Sequence, residues 1–83
     1  MRMNFITFRS VTPAQRGQRV LQQAGISCAL LRTPGWMEQR GCGYCLRLRP
    51  EDTERAVALL RQQRLAFSKV YSSTDTGTEE LAL

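Results

Sequence analysis

Two cysteines stand two residues apart in the stretch RGCGYCLRL, residues 40–48. Cys42 lies between Gly41 and Gly43, Cys45 follows Tyr44, and Arg40 and Arg47 flank the pair. Such residues can hold a metal, cycle as a dithiol, read RNA from a strand, or present one working thiol. A zinc site takes four protein ligands when structural, or three and a water when catalytic. The chain has three cysteines and no histidine. A site within one chain would therefore need Cys28, which reads as a core position, and no metal is expected. A redox pair of the thioredoxin kind sits where a strand meets a helix. This pair instead enters a strand, and strand alternation sends side chains 42 and 45 to opposite faces, which opposes a disulfide. The RNA-recognition signature runs basic, Gly, aromatic, Gly or Ala, then aromatic. Arg40 to Tyr44 fit it except that Cys42 fills the first aromatic slot. Parity argues against the match, because it would bury Arg47 and Arg49 while exposing Tyr44, Leu46 and Leu48, and buried unpaired charge is costly. A single reactive thiol at Cys42 remains, beside the plainer reading of a small residue in a tight turn. The residues alone fit both.

The elements that position this stretch follow from the hydrophobic pattern. FITF, residues 5–8, reads as a strand. Thr12 and Pro13 read as the N-cap and first position of a helix, with Gly17, Val20, Leu21 and Ala24 on one stripe and Gly25 as its stop. Gly17 lowers helix propensity by about 1 kcal/mol against alanine, which points to close packing on a sheet. ISCALLRTP (residues 26–34) and YCLRLR (44–49) read as strands. Residues 34–41 are a loop carrying Trp36 and Met37. Residues 50–64 form a second helix, acidic at its start and basic at its end, in keeping with the helix dipole. AFSKVYS (66–72) is a last strand, and residues 73–83 read as a flexible acidic tail. The predicted fold is α+β, a ferredoxin-like βαββαβ domain over residues 1–72 with a four-stranded antiparallel sheet and two helices on one face. In that topology the third strand lies antiparallel beside the first. Cys42, Gly41, Gly43 and Arg40 should then come close to Arg9, Ser10 and Thr12 at the start of the first helix, where thiolates are stabilised.

Composition narrows the setting. The net charge is +5. The acidic tail residues Asp75, Glu79 and Glu80 follow a body in which twelve bases, eleven of them arginine, face only Glu38, Glu51, Asp52 and Glu54. Such a body attracts nucleic acid, acidic proteins or small anions. The N-terminus lacks a signal-peptide pattern and no segment is long enough for a membrane span, so a cytoplasmic protein with reduced cysteines is expected. Ser10 and Thr12 have no histidine partner for nucleophilic catalysis.

The layout resembles a family of small bacterial selenium/sulfur carrier-like domains. The ordered pieces are Thr7-Phe8-Arg9-Ser10, Ala24-Gly25, Thr33-Pro34, Cys42-Gly43, Leu46-Arg47 and Pro50-Glu51-Asp52, spread over roughly residues 4–72. The resemblance implies a non-enzymatic carrier without cofactor, in which Cys42 holds a persulfide or perselenide for a protein donor and acceptor and Gly43 lets the partner approach. Cys45 falls outside the shared pattern and would be a resolving thiol particular to this chain. Trp36 would belong to the docking surface. The alternative is a basic binding module for nucleic acid or an acidic protein.

Overall fold

The computed structural model describes residues 2–33, 43–74 and 77–82. The chain forms β1 (Met3–Phe8), α1 (Val11–Gln23), β2 (Cys28–Arg32) and β3 (Tyr44–Leu48). A 3-10 turn (Pro50–Asp52) then leads into α2 (Thr53–Gln62), β4 (Val70–Thr74) and β5 (Gly77–Glu80). Over the described residues the result is a mixed α+β domain with two helices and one antiparallel sheet ordered β2-β3-β1-β4-β5. No helix among the described residues is long and apolar enough to cross a membrane.

Strand alternation divides the sheet. Ile6, Phe8, Leu46, Leu48 and Val70 face the helices and pack with Ala14, Leu21, Ala56, Val57 and Leu60 in the main core. Phe5 and Cys45 are buried on the opposite face beside Met3, Leu31 and Tyr71. The expected parity of residues 44–48 is thus present, with Tyr44, Leu46 and Leu48 on the helix side and Arg47 exposed. Helix α1 lies close to the sheet at Gly17. A Cβ there would come within 3.0 Å of the Phe8 ring and 3.3 Å of Leu60. Asn4 reaches from β1 to the start of α2, its amide donating to the Thr53 hydroxyl at 2.8 Å.

Four expectations change. The sheet has five strands rather than four, because β5 pairs with β4 from Tyr71↔Glu80 to Thr74↔Gly77, where a frayed tail was expected. Backbone pairing holds it, together with Leu81, whose N–H donates to the Val70 carbonyl at 2.7 Å and whose side chain packs on the core. Helix α1 starts at Val11 with Ser10, not Thr12, in the extended N-cap conformation. Pro13 still falls in the first turn, where its missing N–H costs nothing. The buried stripe of α1 is Ala14, Gly17 and Leu21, while Ala24 lies past the helix end and is exposed. The last strand of the expected four begins at Val70, not residue 66. There the Thr7 N–H donates to the Lys69 carbonyl at 2.8 Å and the Thr7 carbonyl accepts from the Ser68 N–H at 2.7 Å, while the Thr7 hydroxyl accepts from the Lys69 N–H at 3.0 Å, so two residues face one and the regular ladder gives way to a bulge.

Candidate functional site

β3 pairs antiparallel with β1 in the register Phe8↔Tyr44, Thr7↔Cys45 and Ile6↔Leu46. The start of β3 therefore meets the end of β1, as the sequence required. Gly43 is the residue that allows this approach. A Cβ at position 43 would stand 2.9 Å from the Phe8 carbonyl oxygen, and a backbone atom held in a sheet cannot move aside cheaply. Gly43 also accepts a backbone hydrogen bond from Thr33 at 3.0 Å, tying the end of β2 to the start of β3. Gly43→Ala is expected to cost about 1–3 kcal/mol through this overlap. A urea titration followed by circular dichroism measures it, and an unchanged midpoint would contradict the close approach.

Arg9, Ser10 and Thr12 come together on one side of a cleft of about 790 Å³ between the start of α1 and residues 64–69. Ser10 makes no side-chain hydrogen bond to its helix. Sequence reasoning missed the other lining cations, Arg16, Arg64 and Lys69, and the aromatic Phe67. Only the packing of the end of α2 toward the start of α1 assembles them. Cys42, Arg40, Gly41 and Trp36 lie outside the described residues.

Cys45 is completely buried, on the face away from the helices. Burial pushes its thiol above the ordinary range, and the Thr33 hydroxyl and the charge of Arg47 offset this only in part. The Thr33 hydroxyl influences the thiol by proximity, since its oxygen makes no geometrically sound hydrogen bond. Cys28 is partly buried, with its Sγ 4.0 Å from the Gln18 carbonyl, and burial raises its thiol too. Neither cysteine is in a disulfide. Among the described residues no group of three His, Cys, Asp or Glu is placed to hold a metal.

The raised thiol of Cys45 has a consequence for stability. Below about pH 8.5, the ordinary thiol pKa, folded and unfolded chains both keep the proton and its full contribution is present. Above that pH the unfolded chain ionises first, so stability falls as pH climbs toward the folded value. Cys45→Ala is expected to flatten this alkaline decline. Urea midpoints at pH 7 and in the mildly alkaline range, compared between the two proteins, test it; parallel declines would contradict it.

A family profile described as "Putative Se/S carrier protein-like" matches residues 3–72. The matched span runs from β1 into β4 and includes both helices and the Cys42–Cys45 stretch. No curated protein and no solved structure gives a significant match.

Proposed function

We propose that this chain, which belongs to the Se/S carrier protein-like family, carries sulfur or selenium on Cys42 and passes it to a partner protein. The observation that carries this reading is the family match, which spans the Cys42-Gly43 pair and nearly all of the domain. The transfer is balanced without an outside oxidant. The Cys42 thiolate attacks the outer sulfur of a donor persulfide, the donor's S–S bond breaks, and the donor leaves as a thiolate. Cys42 then holds the persulfide, and a second thiolate removes its outer sulfur in the same way. A perselenide would follow the same course.

The geometry supports such a thiol. Cys42 is bonded to Gly43, and Gly43 is wedged against the end of β1, next in sequence to Arg9. A persulfide is anionic near neutral pH, and a positive setting favours a sulfur anion. Carriage in this reading is not turnover: Cys42 exchanges sulfur with proteins and needs no general base. Unpaired Cys28 and Cys45 suit the reducing cytoplasm. Cys45 serves as a resolving thiol only if the sheet face over it opens.

Loading with a cysteine desulfurase and cysteine tests the assignment. Cys42→Ser should lose the added sulfur and keep the wild-type circular dichroism spectrum, while Cys45→Ser should still load. Loading of Cys42→Ser at the wild-type level would overturn it.

A further inference from the structure

Apart from Arg9, the cleft between α1 and residues 64–69 has chemistry that sulfur carriage on Cys42 does not use. One wall presents Arg9 and Arg16, and the other presents Arg64 and Lys69, with Phe67 and Leu65 as apolar lining. Among the described residues no acidic side chain lines it. Lys69 is shared with Glu80, 3.7 Å away. Among the described residues Arg9, Arg16 and Arg64 make no ion pair, so three guanidinium groups border one concavity without a counter-charge. Their mutual repulsion is relieved when an anion enters. The planar, forked donors of arginine match the oxygens of a phosphate group. A volume of about 790 Å³ falls within the roughly 300–1,000 Å³ of small-molecule sites. The half-buried Phe67, whose ring carries the Arg61 guanidinium 5.7 Å from its centroid, and Leu65 add apolar lining for the body of such a ligand.

We infer that this cleft binds a small phosphorylated organic molecule, its phosphate held by Arg9, Arg16 and Arg64 and its apolar part against Phe67 and Leu65. The site shares Arg9 with the setting proposed for Cys42, but binding needs no thiol, so it stands or falls separately from sulfur carriage.

Arg64 allows a test that leaves the fold intact. It sits just after α2 with φ 57, the left-handed conformation that glycine adopts most easily. The equivalent position after α1 is Gly25, at φ 81. Arg64→Gly therefore removes a guanidinium without loss of stability. Phenyl phosphate is the probe, titrated by calorimetry at constant ionic strength against the full chain. Inorganic phosphate and a single-stranded oligonucleotide are the comparison arms. The expected result has four parts. Phenyl phosphate binds at least about tenfold more tightly than inorganic phosphate. Arg64→Gly weakens it at least about tenfold, the loss of one charge-assisted contact, with a melting temperature no lower than the wild type. Arg2→Gln, at the far end of β1, leaves it unchanged, and so does Cys42→Ser. The inference is overturned if phenyl phosphate fails to bind, if Arg64→Gly and Arg2→Gln weaken it equally, or if the oligonucleotide binds more tightly than phenyl phosphate through the same arginine.

Discussion

Phe8→Ala is expected to destabilise the domain by about 3–5 kcal/mol, the usual cost of removing a buried aromatic ring. Phe8 is only 2% exposed and stands where three elements meet. Its ring lies under Gly17 of α1, and its carbonyl faces Gly43 at the start of β3. Its strand pairing is with Tyr44. Collapse around the lost ring is limited because the sheet fixes β1 on both sides, from β3 and from β4. A domain of 83 residues has a total stability of about 4–12 kcal/mol, so the substitution removes a large share of it. Urea unfolding read by circular dichroism measures the loss. A loss under about 1 kcal/mol, no more than a typical point mutation, would mean that α1 does not rest on Phe8.

The second large effect is a separation of the two thiols of the CxxC pair. Cys45 is fully buried with a raised thiol, so iodoacetamide reaches it only when the sheet opens. Local opening costs anything up to the global stability, and an opening of about 4 kcal/mol slows labelling about a thousandfold. The carrier reading requires Cys42 to be open to a partner's sulfur. Under native conditions at pH 7.5, Cys42 is therefore expected to be alkylated first, with Cys45 following only in denaturant. Peptide mapping over a time course distinguishes them. Equal rates would remove the basis for treating Cys42 as the working thiol and would make a dithiol pair the better description.

The parity of residues 44–48 was legible because arginines and apolar residues alternate there, and burying Arg47 is prohibitive. The placement of β3 against β1 followed from the order of elements. The close approach at Gly17 was legible because a glycine inside a helix has a cost that packing must offset. The cap was harder to read. Ser10 and Thr12 both precede Pro13 and both are N-cap residue types, so the true start depends on where β1 releases the chain. Strand β5 was not legible. Thr78, Glu79 and Glu80 show no apolar alternation, and their strand exists because the edge of β4 offers unpaired backbone groups. The cationic cleft was hidden for a similar reason. Arg9 and Arg64 are distant in sequence, and only tertiary packing brings them to one cavity.

The measurement that tests the central claim most directly is the intact mass of the wild-type protein without reductant, after incubation with a cysteine desulfurase and either cysteine or selenocysteine, followed by peptide mapping. The account predicts a gain of one sulfur or one selenium atom per chain, located on Cys42 and removed by a thiol reductant. No adduct with a competent donor, or an adduct located on Cys28 or Cys45, would contradict it.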